Sequence, residues 1–236
     1  MSGRLSPSDF GTFTGPQSPL PTSQWNFDQI PLGHDDLVAV GADLEIGTLV
    51  QAYAHGLFPM PMDRKDIGWW CPLQRGIIPL DNFYISKSLR KSCRKFTIQV
   101  DTCFEEVMKA CGDPHRPHGW ITQNFIDAYS RLHQAGWAHS IEVFKDGELV
   151  GGVYGVHVAG LFAGESMFHT KTDASKVALV ALVALLQQSP VTLFDVQWTT
   201  PHLASLGAID IPRAEYLRLL AETQNRPSSR QTADHG

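Results

Sequence analysis

The sequence predicts an α+β or mixed layered fold with a central sheet, on three observations. An Asp146-Gly147 turn separates two runs of strand type, residues 140–144 and 149–158, which reads as a hairpin. Residues 177–186 are apolar without interruption and have no polar side, so they read as a helix buried all round. A further strand pattern, residues 191–197, follows that helix, and strand, helix and strand make a layered unit.

With 236 residues, of which 43% are hydrophobic and 18% charged, the chain falls outside the disordered and fibrous classes. It is long enough to bury a core without disulfides or a structural metal. The apolar run at 177–186 is well short of the ~20 residues a membrane-spanning helix needs. Four cysteines without a Cys-x-x-Cys pair, and an N-terminus without a charged segment leading into an apolar one, point to a cytoplasmic protein with reduced thiols.

Residues 1–24 are rich in Ser, Pro, Thr and Gly and are expected to form a flexible tail, as are residues 224–236. Residues 25–73 read as a small N-terminal domain with one short amphipathic helix, 47–55, ended by Gly56. Residues 74–223 form the main domain. Ser86 is placed to cap a helix through Lys95, residues 96–100 alternate as a strand, and a helix follows around 103–111. Thr122 can cap a helix whose stripe Phe125, Ile126, Tyr129, Leu132 and His133 faces a core, with Gly136 as its stop. Gly151-Gly152 suggests a bulge, and Ala159-Gly160 turns the chain into a strand at 161–168. Asp173 is expected to cap the apolar helix, which runs to about Gln188, and Pro212 suits the first turn of a last helix through Ala221.

The net charge of −5 hides an asymmetry. Lys87, Arg90, Lys91, Arg94 and Lys95 fall at helical spacing on one face with no acid among them. Like charges so placed destabilise a helix, so the run reads either as a solvated face or as a surface for a phosphate backbone. Strand alternation puts Asp195 with Gln197 on one face, and Glu165 with Met167 on one face of another strand. Together these would give a site with a polar and an apolar end; strand-end groups bonded to loops are the plainer alternative. Trp69, Trp70 and Trp120 are either core or stacking surfaces for nucleobases. Cys111, His115 and His118 lack a fourth ligand for a metal, and Ser175 has no histidine at nucleophile-elbow spacing.

Several strings, among them Ala52-Tyr53-Ala54-His55-Gly56-Leu57-Phe58-Pro59, Trp69-Trp70-Cys71-Pro72, Gly164-Glu165-Ser166-Met167-Phe168, Asp173-Ala174-Ser175-Lys176 and Ser205-Leu206-Gly207-Ala208, resemble the leucyl/phenylalanyl-tRNA–protein transferase family in order. The resemblance implies a GNAT-type acyltransferase domain behind the small N-terminal one. It implies transfer of Leu, Phe or Met from aminoacyl-tRNA to an N-terminal Arg or Lys of a protein, creating a degradation signal. It assigns Asp195, Gln197 and Glu165 to catalysis, and Met167, Leu179, Leu182, Leu186 and Phe194 to the amino-acid pocket. Trp120 and Met60 would hold the terminal adenosine, Met60 standing where familiar members have Trp. The 87–95 basic face would take the acceptor stem. No cofactor or metal is implied, and the enzyme is expected to be a monomer. An acetyl-coenzyme A acetyltransferase fits less well, because residues 169–173 lack the glycines that would cradle a diphosphate. A non-catalytic RNA-binding module would leave Asp195 and Gln197 without a purpose.

Overall fold

A computed structural model of the chain describes residues 11, 13, 19–62, 66–115 and 120–224. Two sheets carry the fold. The smaller has the order β1 (Leu37–Val40), β3 (Ile67–Trp70), β2 (Phe58–Pro61), all antiparallel. The larger has seven strands in the order β10 (Ile209–Pro212), β4 (Gln74–Ile77), β9 (Leu193–Gln197), β8 (Leu161–His169), β7 (Glu148–Val158), β6 (Ala138–Lys145), β5 (Thr97–Val100). Among the described strands only β8 and β9 run parallel. Parallel neighbours need a crossover, and α5 (Ala174–Leu186), the apolar helix, supplies it.

Helices cover both faces of the large sheet. On one lie α1 (Ile46–Ala54), α3 (Phe104–Cys111), α4 (Gln123–Gln134) and α7 (Arg213–Gln224). On the other lies α5, with α2 (Lys87–Cys93) packed outside it. The short α6 (Pro201–Ala204) follows β9. The small sheet shares a core with the first face, where Phe27, Leu49, Tyr53 and Trp69 join Tyr129, Tyr154 and Tyr216. No helix among the described residues is long and apolar enough to cross a membrane.

Local chemistry explains most boundaries. The hairpin forms on Asp146 and Gly147, both with positive φ, as a two-residue turn requires. Ser86 accepts from the Leu89 N–H as expected. Thr122 and Asp173 sit at their helix starts without a side-chain cap; the Asp173 carboxylate instead accepts from Ser92 Oγ at 2.7 Å, tying α2 to the start of α5.

Several expectations need correction. Part of the supposed N-terminal tail is anchored: Gln51 Nε2 donates to Pro21 O at 2.9 Å, and Ser23 and Thr48 share a hydroxyl contact at 3.1 Å. Phe13 stacks on His139 at 4.5 Å, while most of residues 1–18, and residues 225–236, lie outside the described set. The α2 helix stops at Cys93, so Lys95 follows it. Pro212 ends β10, and α7 begins at Arg213. The glycines at 151 and 152 mark close packing: a Cβ on Gly151 would lie 2.6 Å from Ala174 Cβ, and the register irregularity falls beside them at Val150.

Candidate active site

The parallel pairing of β8 and β9 is short. It runs from Leu161 opposite Leu193 to Ala163 opposite Asp195, and beyond that point the strands no longer bond. A cavity of about 470 Å³ opens in the gap, within the usual size range of ligand pockets. Gly164, Glu165, Ser166 and Met167 line one side and Val196, Gln197 and Trp198 the other. Leu179, Phe194 and Val153 form an apolar wall, and Phe58, Pro59, Met60 and Trp120 close the remaining side.

Two irregularities aim the polar groups. Tyr154 opposes Ser166 while Gly155 opposes Gly164, so Glu165 is the extra residue of a β-bulge. Gly155 permits it, because a Cβ there would sit 2.3 Å from Ala163 O. The bulge overturns the expected Glu165 and Met167 pairing. Met167 packs towards α5 with the second core, whereas the Glu165 carboxyl turns to Tyr129 on the opposite face. At Gln197 the backbone takes φ +58, a left-handed conformation that costs a non-glycine residue about 1 kcal/mol or more. The turn brings Gln197 Nε2 to 3.0 Å from Glu165 Oε1.

Beneath them lies a buried ion pair. Arg75 donates through Nε and Nη2 to Asp195 Oδ1 and Oδ2 at 2.8 and 2.5 Å, and both residues are at most 1% exposed. The guanidinium lies between the Phe58 and Tyr216 rings, 4.7 and 4.4 Å from their centroids. Tyr216 donates to Oδ2 at 3.0 Å, and the Gln197 backbone N–H to Oδ1 at 2.9 Å. Asp195 thus accepts four hydrogen bonds and does not reach the cavity wall. Its link to the site is the N–H of Gln197, whose strained backbone it holds.

Glu165 has the opposite environment. Burial raises its pKa to about 8, with Asp195 adding repulsion and the tyrosine hydroxyls and Arg75 opposing. Tyr53 and Tyr129 share a short hydroxyl contact of 2.5 Å, and burial pushes both phenols well above the usual range, so they remain protonated. Near neutral pH the group at the cavity floor is a carboxylic acid, held by an amide and phenols.

The other sequence candidates divide. Trp120, Met60, Met167, Leu179 and Phe194 all line the cavity. Leu182 and Leu186 are buried on the same helix as Leu179 but are not among the residues that line the cavity. Trp69 is core, with its indole N–H on Gly41 O at 2.8 Å. Lys87, Arg90, Lys91, Arg94 and Lys95 are all exposed, opposite the buried Leu89, Ser92 and Cys93 that face α5; none lines the cavity. Ser175 does have a histidine, His169 Nδ1 at 3.2 Å, though neither lines the cavity. Cys111 is buried and His115 sits on Asp113, while His118 lies outside the described residues. A different group, Asp101, His133 and His139, brings metal-type ligand atoms within 4.8 Å of one another. The His139 and His133 Nδ1 atoms meet Asp101 and Ala138 O, while His139 Nε2 is buried with no hydrogen-bond partner among the described residues. Sequence reasoning missed Arg75, Tyr53 and Trp198, for which only residue type could have served as a signal.

The sequence matches a known family over most of its length. The family model for leucyl/phenylalanyl-tRNA protein transferase matches residues 77–221, and the model for the N-terminal domain of that transferase matches residues 42–73. The chain belongs to this family. A relative from Herpetosiphon aurantiacus, named leucyl/phenylalanyl-tRNA–protein transferase, is 53% identical over 74% of this chain and 91% of its own. One of the same name from Pseudoalteromonas atlantica is 49% identical over 81% and 83%. Among solved structures, FemX aligns over 73% of this chain and 70% of its own at 12% identity and a TM-score of 0.44. A GCN5-related N-acetyltransferase-like protein from Streptococcus suis aligns over 70% and 63% at 12% identity and a TM-score of 0.35. The chain is an aminoacyltransferase of this family, with aminoacyl-tRNA and protein as its substrates.

Proposed function

We propose that the enzyme transfers Leu, Phe or Met from aminoacyl-tRNA to the N-terminal Arg or Lys of cytoplasmic proteins, acting as a monomer. One observation carries the reading: a single cavity joins an apolar wall of Leu179, Phe194 and Met167 to the Glu165 and Gln197 pair. The wall takes the amino-acid side chain, Trp120 and Met60 take the terminal adenosine, and the α2 cations take acceptor-stem phosphates.

The chemistry asks mainly for alignment. The amine nitrogen attacks the ester carbonyl, the bond to the ribose oxygen breaks, and that oxygen leaves with the proton the amine gives up. The ester is already activated, and positioning alone can contribute about 7 to 11 kcal/mol. An α-ammonium has a pKa near 8, so a fair share of acceptor is neutral without a strong base. Gln197 Oε1, the carbonyl end of the amide that bonds Glu165, aims the amine. Asp195 is a positioning residue that fixes Gln197 through its backbone N–H. Glu165 fixes the amide's orientation.

The test is transfer of labelled Leu from Leu-tRNA to an Arg-starting peptide, repeated with Phe- and Met-tRNA and with a Lys-starting peptide. Transfer to both peptides, and none to an Ala-starting control, is expected. Absence of transfer from all three donors would overturn the reading.

A further inference from the structure

Among the described residues four aromatic side chains line the cavity, and they differ sharply in what they offer a ligand. Phe58 and Phe194 are 3% and 1% exposed and serve the core. Trp120 is half-buried, resting edge-to-face on Phe125 at 5.5 Å. Trp198 keeps 38% of its surface open although it lines the cavity. An indole left so exposed forgoes burial that would stabilise the fold, and this one is held in place firmly.

The Gln197 turn throws residue 198 out of the strand, and its N–H bonds back to Val196 O at 2.7 Å. Gly76 lets β4 pass close beneath: a Cβ there would lie 2.9 Å from the Trp198 carbonyl carbon. The ring itself meets Phe58 at 5.0 Å and Trp70 at 6.0 Å, both in edge-to-face geometry. A large aromatic surface is thus fixed at the cavity rim, one residue from the amide that aims the nucleophile.

We propose that Trp198 stacks on the adenine of the donor's terminal nucleotide, as a second indole working with Trp120. This rests on the transferase reading above and extends its donor site. A rigid aromatic face suits a nucleobase, since stacking works with any base and needs no directional partner. The alternative, a cation–π contact with the acceptor's basic side chain, is less well served. Pro59, Met60 and Trp120 share this lining and are uncharged, and Glu165, the one ionisable group among the described lining residues, has a pKa raised by burial to about 8.

The test compares wild type, Trp198→Phe and Trp198→Ala with two donors, Phe-tRNA and 3′-phenylalanyl-adenosine, and one Arg-starting peptide. Trp198→Ala should raise KM for both donors by roughly 5- to 100-fold, the range that base stacking on an aromatic ring spans. Trp198→Phe should recover most of it, and peptide KM should not move. Thermal shift on adding the minimal donor should shrink in parallel, with melting of the free protein as a check on folding. Unchanged donor KM in Trp198→Ala, or a rise confined to the peptide, would overturn the proposal. Failure of wild type to use either donor would instead overturn the transferase reading.

Discussion

Gln197 Nε2 donates to Glu165 Oε1 at 3.0 Å across the gap where β8 and β9 part. Each residue reaches the other through a departure from regular strand geometry, a bulge at Glu165 and a left-handed backbone at Gln197. The cost of those departures is local, and the Arg75 and Asp195 pair below offsets it by holding the Gln197 N–H. The site is therefore two coupled layers, an inner ion pair that fixes geometry and an outer amide and acid that meet the substrate.

Glu165 makes the site sensitive to pH in a defined direction. Its folded pKa of about 8 lies above the ordinary 4.5, so the folded state binds the extra proton between those values. Stability from this group is complete below pH 4.5 and is lost as pH rises towards 8. Glu142, buried against Ser140 and Thr102 and raised to about 7 by burial, adds a similar slope. Glu165→Gln should flatten, without abolishing, the fall in melting temperature across this window. If the acid must be neutral, wild-type kcat also declines above pH 8 and Glu165→Gln does not share that decline. Identical pH profiles would contradict the assignment.

Asp195 should respond to substitution in two separable ways. Asp195→Ala strands the Arg75 charge, a change that typically costs about 3 to 5 kcal/mol. It also frees the Gln197 backbone, and kcat should fall more than KM rises. Gln197→Ala leaves the ion pair intact, so it should lose kcat without the large stability loss. The double variant should lose little further activity, because the two act as a unit. Single-turnover measurements at a temperature where both variants are folded check this, and an unchanged kcat in Asp195→Ala would remove its role.

Sequence pattern revealed the parts of the fold that obey a period. The hairpin at Asp146-Gly147 and helix α5 were legible because turn chemistry and unbroken apolarity leave few alternatives. The small sheet was not, since β1, β2 and β3 have four residues each and β2 reads Phe-Pro-Met-Pro, too short and too proline-rich for alternation to register. In the site, alternation placed Glu165 beside Met167, and the bulge moved it to the other face. Arg75 carried no signal: one arginine in Leu-Gln-Arg-Gly looks like surface until the fold puts Asp195 against it. A helix apolar on every side also conceals which of its leucines face a cavity.

The α2 cations should govern tRNA affinity through charge alone. Replacing Arg90, Lys91 and Arg94 with Ala should lessen the slope of log affinity against log salt by roughly 0.7 to 0.9 for each phosphate that is no longer neutralised. All three are exposed, so the fold should tolerate the change. Transfer from 3′-phenylalanyl-adenosine, which has no stem, should be unaffected. An unaltered salt slope with tRNA would rule out this face.

Leu179 and Leu182 are both buried on the same helix, yet Leu179 lines the cavity and Leu182 does not. Truncating each to Ala should therefore produce different outcomes. Leu179→Ala enlarges the donor pocket and should shift the Phe-to-Leu ratio of kcat/KM towards Phe by about tenfold, at the lower end of what a methylene-scale change in a hydrophobic pocket achieves. Leu182→Ala leaves a cavity in packed surroundings and should cost about 2 to 5 kcal/mol of stability, with the donor ratio unchanged. Competition assays with mixed charged tRNAs, alongside denaturant unfolding, separate the two effects. A ratio shift in Leu182→Ala equal to that in Leu179→Ala would mean that the amino-acid side chain enters deeper than the cavity wall defined by Leu179 and Phe194.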